Sequence, residues 1–168
     1  MADSSGDWAD WLGEHGAALV LLARQWVSDR AAAEDIVQEA FVRFWRSRHR
    51  AQDPTAYLYA CVKRYALEWL RSRQRRRRRE KTVARPECLA ADSLFVGSVE
   101  QEERRTAIES ALWQLPESQR EVLVMKIWGG LSFPRIGEAL HLSANTAASR
   151  YRYALTKLRA QLAEETIS

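Results

Sequence analysis

The stretch "GGLSFPRIGEALHLSANTAASRYRYALTKLR", Gly129 to Arg159, contains two helix starts separated by a very short turn. The paired glycines stop whatever helix precedes them, and Ser132 predicts an N-cap for a short helix ending at Leu140. "HLS" turns the chain, Ser143 supplies a second cap, and a longer helix is expected to run to about Ala163. Ile136, Leu140 and Leu142 are apolar around the turn. A short helix, a three-residue turn and a longer helix form the helix-turn-helix arrangement. Along the longer helix, Ala147, Ala148, Tyr151, Ala154, Leu155, Leu158 and Leu162 make an inward stripe. Asn145, Thr146, Ser149, Arg150, Arg152 and Tyr153 point away from it. Short polar groups and arginines near the start of such a helix are what base edges and phosphates require.

Upstream of this stretch, periodicity predicts a helix from about Glu100 to Gln114 and another opened by Pro116. Further back the pattern dissolves: "TVARPECLAADSLFVGS" (Thr82 to Ser98) holds Pro, Gly and Ser without a sustained period. Before it, helices are expected at about 7–27 and 31–47, the second capped by Ser28 or Asp29. Asp53-Pro54 then gives a cap and a first-turn proline to a third. No segment alternates like a strand. The expectation is an all-α protein with two small helical domains, 1–80 and 100–168, joined by a flexible linker at 81–99.

The third helix leads into "RSRQRRRRREK" (Arg71 to Lys81), with seven arginines and one lysine in eleven residues. A solvated tail or an import tag would also explain such a run taken alone. The charge distribution points elsewhere. Residues 1–42 carry a net −6, residues 43–85 a net +12 and residues 86–168 a net −2. A basic segment between acidic flanks is the footprint of a polyanion-binding stripe.

Other classes find little support. The chain is 46% hydrophobic with seven Trp, enough to build cores. Its longest apolar run, "GAALVLLA" (Gly16 to Ala23), is far shorter than the ~18–20 residues of a membrane span. The acidic N-terminus is unlike a signal peptide, which leads to an expected cytoplasmic location without membrane insertion. Cys61 and Cys88 lack partners at zinc spacing, and His15, His49 and His141 are scattered. No metal site, cofactor, phosphate-cradling glycine loop or catalytic constellation is expected.

Two further helix faces stand out. In "AEDIVQEAFVRFWRSR" (Ala33 to Arg48), Val37, Ala40, Phe41 and Phe44 share about 60° of arc and predict the core stripe. Asp35, Gln38, Glu39 and Arg46 lie opposite, with Val42 among them. A solvated face is the plain reading, but an apolar Val42 bordered by Trp45 amid those charges leans toward a protein-docking face. In the third helix, Leu58, Cys61, Val62, Tyr65 and Trp69 line one side. Arg64, Glu68 and Arg71 follow at helical spacing along another, directly into the arginine run. The interleaved aromatics suit base stacking as well as packing.

Three segments now carry a resemblance: "AAAEDIVQEAFVRFWR", "DPTAYLYACVKRYALEWLRSRQRRRRR" and "LPESQREVLVMKIWGGLSFPRIGEALHLSANTAASRYRYALTKLR". In this order they resemble the bacterial RNA polymerase sigma factors of the extracytoplasmic-function (ECF) group, over roughly residues 10–80 and 105–162. The resemblance implies a first domain that docks on the clamp of core RNA polymerase and opens the -10 element. It implies a second that binds the -35 element and the flap tip, with an anti-sigma factor as a further potential partner. It assigns polymerase docking to Asp35, Gln38, Glu39 and Val42. DNA contact falls to Arg64, Glu68, Arg71, Arg73, Arg75, Arg76 and Arg77 in the first domain. In the second it falls to Asn145, Thr146, Ser149, Arg150 and Arg152. Arg64 and Glu68 stand where family members often have Asn and Asp, and Ala148 where a basic residue is frequent. "PRIG" (Pro134 to Gly137) replaces a commoner "AEIA"-like stretch. The rival readings are a stand-alone helix-turn-helix regulator, which leaves the first domain unexplained, and a nucleic-acid enzyme, which lacks an acid–base or metal cluster.

Overall fold

The structure, a computed structural model, describes residues 4–80 and 98–167. Residues 81–97 of the expected linker lie outside the described residues. Ser98 and Val99, also assigned to it, are the N-cap and first residue of a helix.

Every described element is helical. Helix α1 spans Ser4–Ala23, α2 Arg30–Ser47 and α3 Pro54–Arg79, with one 3-10 turn at Arg48–Arg50. A second set follows: α4 at Val99–Trp113, α5 at Glu117–Ile127, α6 at Phe133–Leu140 and α7 at Ala144–Ile167. The caps explain most of these starts. Asp29 accepts a hydrogen bond from the amide of Ala31 at 3.2 Å, and Asp53 accepts one from Ala56 at 3.1 Å. Ser98 and Gln101 form a reciprocal capping box at the start of α4. Ser143 accepts from the amide of Thr146 at 3.1 Å, as its position predicts.

Two boundaries differ from the sequence reading. Helix α1 stops at Ala23 rather than near Val27, because the amides of Gln25 and Trp26 bond three residues back, to Leu22 and Ala23. Trp26 and Val27 stay buried in the tightened turn, so the apolar period continues past the helix end. Helix α7 continues beyond Ala163 to Ile167. The turn before it is closed by His141, whose left-handed backbone (φ 56°, ψ 46°) ends α6. There the Leu142 amide donates to the Gly137 carbonyl at 2.8 Å.

Helices α1, α2 and α3 pack on one another through Leu19, Leu22, Val37, Phe44, Leu58 and Val62, all almost fully buried. Helices α5, α6 and α7 do the same through Leu123, Met125, Ile136, Ala147 and Ala154. The two sets are not separate in space. Helix α3 lies against α6 and α1 against α5, so that the buried side chains form one continuous cluster.

One buried polar pair sits at this junction. His15 Nδ1 and Tyr59 Oη are 3.0 Å apart, with Trp11 beside the imidazole. Burial lowers the His15 pKa from its ordinary value near 6.5; the Glu14 carboxylate opposes this and the Arg135 guanidinium adds to it. An imidazole with a depressed folded-state pKa stabilises the fold above its unfolded pKa, and that stability is lost as pH falls through the lowered value. The melting temperature is therefore expected to fall on acidification below about pH 6.5. A His15→Gln variant should show a flatter profile over the same range. Equal slopes in wild type and variant would remove His15 from this role.

Candidate nucleic-acid interface

Helix α3 carries its charges on the outside. Arg64, Glu68 and Arg71 are exposed along one face, while Leu58, Cys61 and Val62 are buried on another. Tyr65 and Trp69 are only half-buried, less than the inward stripe predicts. Both are covered by cations: Arg43 and Arg64 lie 5.1 and 5.2 Å from the Tyr65 ring, and Arg73 lies 5.1 Å from Trp69. Arg73 thus lies partly folded against an aromatic. Arg75, Arg76 and Arg77 project freely into solvent from the same unbroken helix. Four arginines in its last turn also suit the negative end of the helix dipole.

Helix α7 presents its start differently. Asn145, Thr146 and Arg152 are exposed, whereas Ser149 and Arg150 are half-buried. The Thr146 hydroxyl is engaged with Ser143 Oγ at 2.8 Å, within the cap itself. Arg152 donates to Ser149 Oγ at 3.3 Å and so lies along the outer face. Arg150 turns back toward α5, its Nη1 4.0 Å from Glu121 Oε1. Phe133 packs on Tyr151 with ring centroids 5.5 Å apart, which braces α6 against the outward-facing helix.

On α2, Asp35, Gln38, Glu39 and Val42 are all exposed, Val42 at 51%. Glu39 accepts from Arg43 Nε at 2.9 Å within the helix. Trp45 stacks on Phe41 and carries the Arg48 guanidinium 3.6 Å above its ring. Trp45 borders Val42 as its position in the helix implies, and Arg48 adds a cation to that flank.

The sequence reading missed a set of charges that pair between the two helical sets. Arg24 holds Glu109 with both oxygens engaged, at 3.2 and 2.6 Å. Arg30 reaches Glu102 at 2.6 Å, and Arg135 reaches Asp53 at 3.0 Å. Lys63 Nζ lies 2.6 Å from Oε2 of the buried Glu121, in contact but not aligned as a directed hydrogen bond. Burial raises the Glu121 pKa, and Lys63 opposes that. Among the described residues no group of His, Cys, Asp or Glu could hold a metal ion, and no helix is long and apolar enough to cross a membrane.

Comparison with known proteins is consistent across both helical sets. The sigma-70 region 2 family matches residues 12–76, and the sigma-70 region 4 family matches residues 105–158. The RNA polymerase sigma-E factor of Streptomyces avermitilis is 31% identical over 148 residues, 86% of this chain and 79% of that protein. The ECF RNA polymerase sigma factor SigL of Mycobacterium tuberculosis is 30% identical over 157 residues, covering 90% and 86%. Among solved structures, CnrH in complex with the cytosolic domain of CnrY gives a TM-score of 0.65 at 23% identity, over 94% of this chain and 88% of that one. The sigma factor RpoE in complex with the anti-sigma factor NepR, from Bartonella quintana, gives 0.66 at 21% identity, over 93% and 96%. At these identities the two structures speak for the fold.

Proposed function

The chain belongs to the ECF group of RNA polymerase sigma factors, which bind core polymerase and direct it to promoters, and from that premise we propose how its surfaces divide the work. Residues 1–80 dock on the polymerase clamp through Asp35, Gln38, Glu39 and Val42. The same domain meets the -10 element along Arg64, Glu68 and Arg71, where it promotes strand opening. Arg73, Arg75, Arg76 and Arg77 lie against the DNA backbone. Residues 100–168 place the start of α7 in the major groove of the -35 element and meet the flap tip. The protein performs no catalysis of its own, requires no cofactor and works in the cytoplasm. An anti-sigma factor is a further partner of the class that holds the Bartonella relative.

The observation that carries this reading is the unbroken α3 helix, which continues an exposed polar face into an exposed arginine run. Neither a solvated tail nor an import tag requires that continuity. The direct test is co-purification with core polymerase, followed by run-off transcription over a genomic promoter library. Tight binding of the isolated protein to duplex DNA without binding to core would favour a stand-alone regulator instead.

Base readout at -35 rests chiefly on Arg152. Arg150 is drawn toward Glu121 and Thr146 is engaged in the cap, whereas Arg152 lies exposed beside Ser149. An arginine bidentate to guanine is worth roughly 1–3 kcal/mol of discrimination. Arg152→Ala should relax preference at one or two -35 positions in a promoter-variant screen. An equal loss on every variant would assign Arg152 to phosphates.

A further inference from the structure

Glu121 is buried on α5 at 5% exposure, where an ionised carboxylate needs partners. Two helices supply them, one cation to each oxygen. Lys63 of α3 lies 2.6 Å from Oε2, and Arg150 of α7 lies 4.0 Å from Oε1. The Glu117 carboxylate, one turn earlier on α5, repels Glu121 and adds to this need. Arg120, its neighbour in the chain, is turned to the Trp113 ring at 4.3 Å. Arg150 and Arg152 therefore leave the same helix in different directions. Arg152 is exposed and donates to Ser149 Oγ at 3.3 Å, whereas Arg150 is half-buried with its charge directed back into the protein.

We propose that Glu121 is a positioning residue for -35 recognition: it holds the Arg150 guanidinium off the DNA backbone, so that the recognition helix presents Arg152 as its reading arginine. The proposal deepens the placement of α7 in the -35 major groove and rests on it. Arg150 follows Ser149 directly, on the flank of the face that meets DNA. A guanidinium on a long stem at that flank, with no acid to hold it, meets phosphate first, since roughly half to two-thirds of protein–DNA hydrogen bonds end on phosphate or sugar. Two acceptors thus compete for Arg150. Drawing it away leaves a buried carboxylate short of a cation, which costs more than leaving a phosphate to water. With Arg150 withheld, α7 forgoes a contact that every sequence would supply, and its affinity depends more on what Arg152 reads.

Glu121→Gln, which keeps the shape of the side chain and removes its charge, tests this in the holoenzyme. The probe is a fluorescein-labelled duplex carrying a promoter recovered from the run-off screen, together with a set of its -35 variants. Affinity should rise about three- to tenfold on every variant, and the slope of log affinity against log salt should steepen by about 0.9 units, the mark of one added phosphate contact. Adding Arg150→Gln should cancel both gains. A merely structural role for Glu121 predicts weaker binding and no steeper slope. Should circular dichroism show Glu121→Gln to be unfolded, Glu121→Asp, which keeps the charge and withdraws it by one methylene, is read in the same way. An unchanged or flatter slope, or a gain that survives Arg150→Gln, overturns the proposal. A gain confined to one -35 base pair overturns it too, because Arg150 would then be reading a base. Misplacement of α7 shows separately: base changes at -35 would then leave the affinity of the wild type unaltered.

Discussion

Changing Arg75, Arg76, Arg77, Arg78 and Arg79 to Gln is expected to produce the largest single loss of promoter affinity in the holoenzyme, similar on every promoter sequence. Every phosphate no longer neutralised takes about 0.9 units from the slope of log affinity against log salt on duplex DNA. If all five arginines touch the backbone, the slope flattens by about 4–5 units. The structure makes this a clean substitution. These side chains are exposed along an intact helix, so their replacement uncovers no core. Glutamine has nearly the helix propensity of arginine, so α3 should persist to its end. Only the interaction with the helix dipole, worth roughly 0.3–1 kcal/mol per charge, disappears along with the DNA contacts. Far-UV circular dichroism should stay close to wild type. A salt slope equal to that of the wild type would return the run to a solvated tail.

The second large effect sets the two faces of α2 against each other. Phe44 is fully buried, with Trp11, Phe41 and Tyr57 around its ring. Phe44→Ala should cost about 3–5 kcal/mol, because the ring's transfer energy is forfeited and its neighbours relax only partly into the cavity. Domains of this size have about 5–15 kcal/mol of stability in total, so the melting temperature should drop by about 15 °C or more. Asp35→Lys with Glu39→Lys should do the opposite. The double reversal breaks one exposed pair to Arg43, of a kind that contributes little to stability. It should leave the melting temperature within a few degrees while weakening binding to core polymerase tenfold or more. Unfolding by the charge reversal would make that face structural; a mild Phe44→Ala would place the core stripe elsewhere.

Membership of the sigma family rests on matched sequence across both helical sets, and the division of labour proposed above follows the exposed faces of α2, α3 and α7.

What the sequence determined by itself was everything set by neighbours three or four residues away. Asp29, Asp53 and Ser143 cap their helices as their positions predict, and Val37, Ala40, Phe41 and Phe44 are buried as their period predicts. The continuation of α3 through the arginines was legible for the same reason: no Gly or Pro interrupts it. The outward faces of α2 and α3 were equally legible, since exposure is the complement of the stripe. The early end of α1 was not. Trp26 and Val27 keep the helical period while their backbone tightens, and burial in the fold decided the boundary. Nor could periodicity separate Arg150 from Arg152, two residues apart on the same helix. Only the position of Glu121 on α5 draws one inward and leaves the other outside. The ion pairs between the two helical sets lie furthest from local reading. Arg24 meets Glu109 across 85 residues and Arg30 meets Glu102 across 72, and charge pairs at such separations leave no periodic trace in the chain. They exist because the tertiary structure brings the first helical set against the second, with α3 on α6 and α1 on α5, a condition that no local pattern encodes.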